Sequence, residues 1–221
     1  MINHIKNICV FSSSSNLLEE VYYQAATELG ILIGKSGFNL VYGGSTLGTM
    51  GANAKAVKQN GGRVIAVIPE KLHSVVDENK DCDELHVTKC MRSRKDKIDQ
   101  ISDAVIALAG GFGTLEELSE MIVQKQLGYN QKAIVILNTN GFYNNLLKFF
   151  EDIIGQNFAI TEMREFYYIA KTPQDAINYL LNYTPKEFDF SKKFIKNPQA
   201  STYENLQLTT NKSLRDFKYR L

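Results

Sequence analysis

The stretch that decides the fold reads AVIALAGGFGTLEE, residues 104–117. Residues 104–109 form an unbroken apolar run, which predicts a strand buried on both faces of a parallel sheet. A sharp turn at residues 110–113 follows, and then a helix over 114–127 that Thr114 caps, with Glu117 completing a capping box. Glycines expose backbone N–H groups and a helix N-terminus is positive, so this turn suits a single phosphate. The alternative is a tight strand-to-helix turn without a ligand.

The same alternation of strand and helix extends outward from this stretch. Further strands are predicted at residues 5–11, 38–42, 63–68, 84–88, 133–137 and 167–170. Further helices are predicted at 17–33, 48–60, 91–101, 142–154 and 173–182, the last with Thr172 as N-cap and Pro173 at its first position, and residues 70–83 are predicted to be a loop. The order predicts an α/β protein with a Rossmann-like, doubly wound parallel sheet.

Sheets of this kind bind ligands beyond the carboxyl ends of the strands, where the strand order reverses. Three turns follow strands and precede helices, at residues 12–15, 43–48 and 110–114. We expect these three turns to form the site.

A single domain is predicted over residues 1–184, and a C-terminal extension over 185–221. From Pro185 onward Lys, Asn, Ser and Thr are frequent, with scattered aromatic residues. This composition predicts a tail that packs on the surface through Phe188, Phe190 and Phe194, or that is partly mobile.

The composition argues against several classes of protein. Twenty-five basic residues against 24 acidic ones give a formal net charge of +1, which predicts a small-molecule partner and no nucleic acid. The apolar segments are too short to span a membrane, and the N-terminus lacks the features of a signal peptide. The 3 cysteines and 3 histidines lack ligand spacing, so neither a disulfide framework nor a metal site is expected, and a cytoplasmic location is predicted.

Charged residues flank the predicted phosphate turn. Glu116 and Glu117 fall in the first helical turn, where a favourable interaction with the helix dipole is the simplest reading. A carboxylate beside an anion site has another use if it binds ribose hydroxyls or orients a water molecule. Arg92, Arg94 and Lys95 form either a solvated face or, over the strand ends, cations for a phosphomonoester.

Taken together, these segments resemble the Lonely Guy family of cytokinin riboside 5′-monophosphate phosphoribohydrolases. The family motif P-G-G-x-G-T-x-x-E corresponds to AGGFGTLEE at 109–117, and M-x-x-R-K corresponds to MRSRK at 91–95. VYGGSTLGTMG at 41–51 and VFSSSS at 10–15 are similar to two further family turns, and the resemblance extends over residues 5–181. Ala109 stands where the family has Pro, Arg92 where it has His, and Ser12-Ser13 where it has Cys-Gly.

The resemblance implies that Arg94 and Glu117 are the catalytic pair, that no cofactor is needed and that the protein is a homodimer. It also implies a set of residues that contact the nucleotide, namely Gly43, Gly44, Met91, Lys95, Gly110, Gly111, Phe112, Gly113, Thr114, Leu115 and Glu116. Ile98, Leu118, Met121, Ile122 and Leu127 are candidates for a shared apolar face between two copies, although packing against the sheet is the simpler reading.

The predicted activity is hydrolysis of a purine nucleoside 5′-monophosphate to free base and ribose 5-phosphate. The roles of Arg94 and Glu117 and the choice between adenine and isoprenylated adenine stay open. One alternative is a non-catalytic carrier of a nucleotide or of molybdenum cofactor, which has no need of a carboxylate at a glycosidic carbon. Another is a lysine decarboxylase, which requires pyridoxal phosphate on a lysine and a partner for the ring nitrogen.

Overall fold

A computed structural model describes residues 5–73, 82–186 and 188, and its centre is one parallel sheet of seven strands. The strands are β1 (Asn7–Phe11), β2 (Asn39–Tyr42), β3 (Val64–Pro69), β4 (Glu84–Thr88), β5 (Ala104–Ala107), β6 (Ala133–Leu137) and β7 (Tyr168–Ala170). Their order is β4-β3-β2-β1-β5-β6-β7, and each neighbouring pair is parallel. The order reverses between β1 and β5, which confirms the Rossmann-like, doubly wound sheet.

Seven helices cover the two faces of the described sheet. They are α1 (Glu20–Lys35), α2 (Gly48–Gln59), α3 (Glu70–His73), α4 (Met91–Ile101), α5 (Phe112–Gln126), α6 (Asn144–Gly155) and α7 (Pro173–Leu181), with 3-10 turns at Thr139–Gly141 and Thr161–Glu165. Side chains alternate across each strand, so Ile8 and Val10 of β1 face the core under α1, α2 and α7. Cys9 and Phe11 face the second core, under α4, α5 and α6.

Helix α1 begins three residues later than predicted, at Glu20 instead of Leu17. The Ser13 hydroxyl accepts a 3.1 Å hydrogen bond from the amide of Ser15, and the Ser15 hydroxyl accepts one of 3.2 Å from the amide of Leu17. Such local bonds compete with a helical backbone and keep the segment in turns. The first loop is therefore longer than the apolar periodicity predicts.

Two other boundaries also differ from the prediction. Glu70–His73 forms a short helix inside the predicted loop, of which residues 74–81 lie outside the described part of the chain. Helix α6 begins at Asn144 instead of Phe142, because the Asn138 side chain accepts a 2.8 Å hydrogen bond from the Tyr143 amide and a 3-10 turn precedes it. The predicted cap of α7 is confirmed, since the Thr172 hydroxyl accepts a 3.1 Å hydrogen bond from the Asp175 amide.

The end of the described chain is tied to the body of the domain. The Tyr183 hydroxyl donates a 2.7 Å hydrogen bond to the carbonyl of Gln131 and accepts one of 3.1 Å from the ammonium of Lys125. The ring of Phe188 lies edge-on to Phe166, with 4.4 Å between ring centroids. Phe190 and Phe194 lie outside the described residues, and the domain boundary between residues 184 and 185 stays a prediction.

Candidate active site

The three turns that the sequence singles out meet at the carboxyl edge of the sheet, beside the reversal between β1 and β5. They surround a cavity of about 410 Å³, a size typical of small-molecule sites. Its wall is formed by Ser12, Ser13, Ser14, Gly43, Ser45, Leu47, Met50, Ile68, Leu72, Met91, Arg94, Gly111, Gly113, Thr114 and Glu117. Five of these residues, Leu47, Met50, Ile68, Leu72 and Met91, are apolar and are called the apolar wall, whereas the others are polar or glycine.

Hydrogen bonds connect the turns to one another. The Thr114 hydroxyl of α5 donates to the Ser12 carbonyl over 3.3 Å. On the other side, the Ser13 carbonyl accepts a 3.0 Å bond from the Met50 amide, and the Asn16 side chain accepts a 2.9 Å bond from the Gly48 amide. The turn after β1 therefore holds the N-terminal ends of α2 and α5 in fixed positions.

The predicted capping box at Thr114 and Glu117 is wrong. Helix α5 begins at Phe112, its N-cap is Gly111, and no side chain caps it. Thr114 lies inside the first turn, where its side chain packs against Gly110 and leaves no room for a Cβ there. Both side chains that the box would need are used elsewhere, Thr114 on Ser12 and Glu117 on Arg94. Without a cap, the first amides of α5 keep their capacity to bind an anion.

A buried ion pair forms the floor of the cavity. The Nη1 atom of Arg94, on α4, donates a 2.6 Å hydrogen bond to Oε1 of Glu117, on α5, and the two side chains are 8% and 9% exposed. The Nε atom of Arg94 also donates to the Val67 carbonyl of β3, over 3.1 Å. Because two of its nitrogens are held by different partners, the guanidinium of Arg94 has a fixed orientation. It can therefore hold the Glu117 carboxylate in one orientation as well.

Burial raises the pKa of Glu117, and the Arg94 guanidinium partly offsets this by its charge and its hydrogen bond. Beneath the pair lies Cys9 of β1, which is fully buried. Burial, with the Glu117 carboxylate next in effect, raises the pKa of Cys9 well above its ordinary value. Cys9 is therefore a neutral thiol and adds no charge next to the ion pair.

Lys95, predicted to contact the nucleotide, points to the other side of Glu117. Its ammonium forms ion pairs with Glu116 and, over 2.6 Å, with Glu120, both on α5. Lys95 and Glu120 line a separate small cleft of about 10 Å³. Glu117 lines both this cleft and the main cavity, and so stands between them.

The other predicted contact residues divide into two groups. Gly43, Met91, Gly111, Gly113 and Thr114 line the cavity. Gly44, Gly110, Phe112, Leu115 and Glu116 lie beside it: Gly44 has a positive φ of 84° and backs onto Ile68, whereas the Phe112 side chain is 92% exposed.

Sequence reasoning missed part of the apolar wall. Ile68 and Leu72 line the cavity, although neither was a candidate, whereas Leu47 lies in the turn at residues 43–48 that was expected to form the site. Ile68 lies near the carboxyl end of β3, so its position in the topology was a usable signal. Leu72 had no such signal, because it lies on α3, inside the stretch predicted to be a loop.

The described residues show neither a metal-binding cluster nor a membrane-spanning helix. Across residues 5–73, 82–186 and 188, no group of three His, Cys, Asp or Glu side chains is arranged to hold a metal ion. Within the same ranges, no helix combines the length and the apolar character needed to cross a membrane.

Comparison with solved structures supports the fold. The molybdenum cofactor binding protein of Rippkaea orientalis superposes with a TM-score of 0.62 at 24% identity, covering 80% of this chain and 96% of that one. The molybdenum cofactor carrier protein of Chlamydomonas reinhardtii also gives a TM-score of 0.62 at 24% identity, covering 81% and 100%. At this level of identity the likeness concerns the fold alone.

Comparison of sequences identifies the family. The family model described as "possible lysine decarboxylase" matches residues 50–180. A probable cytokinin riboside 5′-monophosphate phosphoribohydrolase of Oryza sativa subsp. japonica is 38% identical over 184 residues, which are 83% of this chain and 75% of the relative. A cytokinin riboside 5′-monophosphate phosphoribohydrolase of Arabidopsis thaliana is 38% identical over 178 residues, 80% of this chain and 83% of the relative. The chain belongs to the Lonely Guy family of cytokinin riboside 5′-monophosphate phosphoribohydrolases.

Proposed function

We propose that this protein hydrolyses the N-glycosidic bond of a purine nucleoside 5′-monophosphate and releases free base and ribose 5-phosphate. The observation that carries the proposal is the buried Arg94–Glu117 pair on the floor of a cavity, between an uncapped glycine-rich helix start and an apolar wall. Relatives that are 38% identical carry the name of this activity.

The cavity suits the three parts of such a substrate. The phosphate binds at the start of α5, where Gly111 and Gly113 let it approach the backbone and the helix end is positive. The base lies against the apolar wall that includes Leu47, Ile68 and Met91. The ribose then lies between them, over the carboxylate of Glu117.

In the reaction, the bond between C1′ and the base nitrogen breaks and its electron pair leaves with the base. Positive charge develops on the ribose, as in glycoside hydrolysis, and Glu117 stabilises it or orients the water that attacks C1′. The water oxygen bonds to C1′, one water proton is released, and the base takes up a proton. Arg94 positions Glu117, since it holds the carboxylate at 2.6 Å and is itself held by the Val67 carbonyl.

The direct test is release of free base from AMP and from N6-isopentenyl-AMP by the purified protein. Release from either substrate supports the proposal, and the ratio of the two kcat/KM values shows which base the apolar wall prefers. If neither nucleotide yields free base and ribose 5-phosphate, the hydrolase proposal fails.

The two alternative functions fit the site less well. A carrier does not need a buried carboxylate beneath its ligand, whereas this cavity contains the buried carboxylate of Glu117. A lysine decarboxylase needs a lysine that forms a Schiff base with pyridoxal phosphate, and the described residues of the cavity wall include no lysine. A visible absorption band of bound cofactor in the protein as isolated favours one of these alternatives over the hydrolase.

We further propose that the protein is a homodimer that pairs through the outer face of α5. Four residues predicted for the shared face, Ile98, Leu118, Met121 and Ile122, are buried in the core. An exposed stripe remains: Phe112 and Val123 are eleven residues apart, about three helical turns, and Leu127 follows on the same side. Light scattering after size exclusion is expected to give a dimer, and Val123→Glu a monomer. A monomeric wild type with full activity contradicts the pairing.

We also propose that the protein is located in the cytoplasm. Cys9 and Cys90 are free thiols, and Cys90 is exposed, which suits a reducing environment. Fractionation of cells that express the protein, with an assay of base release in each fraction, tests it.

A further inference from the structure

Two neighbouring ion pairs connect α4 to α5. Arg94 and Lys95 are consecutive on α4, and their partners Glu117 and Glu116 are consecutive on α5. The inner pair is buried, whereas in the outer pair Lys95 is 18% exposed and also binds Glu120, one turn further along α5. The contacts of Lys95 with Glu116 and Glu120 therefore hold α4 and α5 at a fixed distance next to the Arg94–Glu117 pair.

The position of Lys95 argues against a role in binding phosphate. Its ammonium is held by two carboxylates, and with Phe11 and Met121 it lines the small cleft behind Glu117. A phosphate that binds Lys95 has to replace one of these carboxylates and still lies close to both of them. Repulsion between the negative phosphate and the two carboxylates opposes this. Hydrogen bonds that Lys95 donates to Glu116 and Glu120 raise its pKa, so the ion pairs persist at neutral pH.

We propose that Lys95 is a positioning residue, which braces α4 against α5 so that Arg94 holds Glu117 in its reactive orientation, and that it does not bind the phosphate. The inference rests on the proposed function, because it takes Glu117 as the reacting group.

Lys95 also acts on Glu117 through charge. The groups that face the Glu117 carboxyl are Arg94 and Lys95 from α4, Glu116 from α5 and the Cys9 thiol from β1. Arg94 and Lys95 lower the pKa of Glu117, and Glu116 raises it. When the positive charge of Lys95 is removed, it no longer offsets the negative charge of Glu116, so the pKa of Glu117 rises.

The experiment compares Lys95→Met, which keeps the apolar stem, with the conservative variant Lys95→Arg and with the charge exchange Lys95→Glu/Glu116→Lys. In the exchange, the ammonium at position 116 meets the carboxylate at position 95 on α4 and Glu120 on its own helix. Lys97→Met is the matched control, since it removes another lysine from the same helix. Three quantities are measured: kcat with AMP, the pH dependence of kcat, and the affinity for ribose 5-phosphate by calorimetry. Melting temperatures show that each variant is folded.

We expect kcat to fall about tenfold in Lys95→Met, while the affinity for ribose 5-phosphate changes less than about twofold. The acid limb of kcat moves to higher pH in this variant, an effect that loss of packing alone does not produce. Lys95→Arg and the charge exchange recover most of kcat, and Lys97→Met stays within about twofold of wild type.

A tenfold weaker affinity of Lys95→Met for ribose 5-phosphate overturns the proposal, whatever the effect on kcat. So does an unchanged kcat with an unmoved acid limb. If the wild type releases no base, the hydrolase is rejected separately, and the calorimetric comparison still decides whether Lys95 belongs to the phosphate site.

Discussion

The guanidinium of Arg94 lies against Gly43, in the space that a side chain at position 43 would occupy. The Met50 sulfur also borders this space, 3.0 Å from where a Cβ would stand. Gly43 was predicted as a nucleotide contact. This geometry indicates a second role, because the absence of a side chain at position 43 leaves room for the Arg94 guanidinium.

Gly43→Ala is therefore expected to displace the Arg94 guanidinium and to lower kcat about tenfold or more, because a displacement of about 1 Å at a reacting group is enough for such losses. Steady-state kinetics with AMP measures this. Gly155→Ala, at a helix end with nothing within 4 Å of the new methyl group, is the control and is expected to match the wild type. Wild-type kcat in Gly43→Ala contradicts the role of Gly43.

The second prediction concerns Glu117→Gln, which keeps the shape of the side chain and removes its charge. We expect base release to fall by about 10²-fold or more and the affinity for ribose 5-phosphate to be largely kept. Glu120→Gln, on the same helix, is expected to stay within about twofold of wild type, because Lys95 keeps its partner Glu116. Turnover of Glu117→Gln within a few-fold of wild type shows that Glu117 is not catalytic.

Glu117 is also expected to titrate at an unusual pH. Burial raises its pKa above the ordinary value of 4.5, despite the nearby Arg94. With 13C-labelled glutamate, one carboxyl signal should titrate above this value and disappear in Glu117→Gln. The carboxylate form is lost as pH falls through this pKa, so activity that needs the charge declines earlier than for an exposed glutamate. A spectrum in which the Glu117 signal titrates at or below 4.5 refutes this account.

A fourth prediction follows from the polar half of the cavity. The start of α5 offers its amides to a phosphomonoester, and binding energy from this remote group supports the reacting centre. Adenosine should therefore be a much poorer substrate than AMP, in kcat as well as in KM. Equal kcat/KM for the two compounds is incompatible with a phosphate site at Gly111 and Gly113.

The fifth prediction concerns stability. Lys125 is 3% exposed, and burial, with Lys186 adding to the effect, lowers its pKa from 10.5 to about 8. Above pH 8 the unfolded chain therefore binds more protons than the native one, and the free energy of unfolding rises with pH. Urea denaturation measures the free energy of unfolding at about pH 8 and at about pH 9.5. Between these pH values the free energy of unfolding should rise by ~1.5 kcal/mol more in wild type than in Lys125→Met. Lys171→Met, which replaces an exposed lysine, should behave as wild type. Equal slopes in wild type and Lys125→Met contradict the low pKa.

The sequence predicted the strands well for a physical reason. Strands buried on both faces must be apolar throughout, so β3, β5 and β6 appear as unbroken runs such as AIVIL at 133–137. The glycine turns were predictable as well, because close approach of the backbone leaves few other residues possible. Gly110 and Gly43 both lie where a side chain would collide with a neighbour.

Side-chain direction was less predictable. Thr114 and Glu117 have the spacing of a capping box, yet tertiary partners more than 20 residues away, Ser12 and Arg94, use their side chains instead. The partners of Lys95 depend on where α4 crosses α5, which local spacing does not encode. The start of α1 was displaced by serine hydroxyls that bond to the backbone and interrupt an otherwise helical pattern.

The cavity has two halves with separate origins, and this has a consequence for how the family diversifies. The polar half includes the start of α5 and the turn after β1, which hydrogen bonds connect to each other and to α2. The apolar half presents the ends of Leu47, Leu72 and Met91, which are 40%, 39% and 45% exposed. Under the proposed function, a mutation at one of these three positions reshapes the part of the cavity that takes the base and leaves the start of α5, which takes the phosphate, unchanged. Single substitutions there can then change the preferred base in a protein that still binds the sugar phosphate.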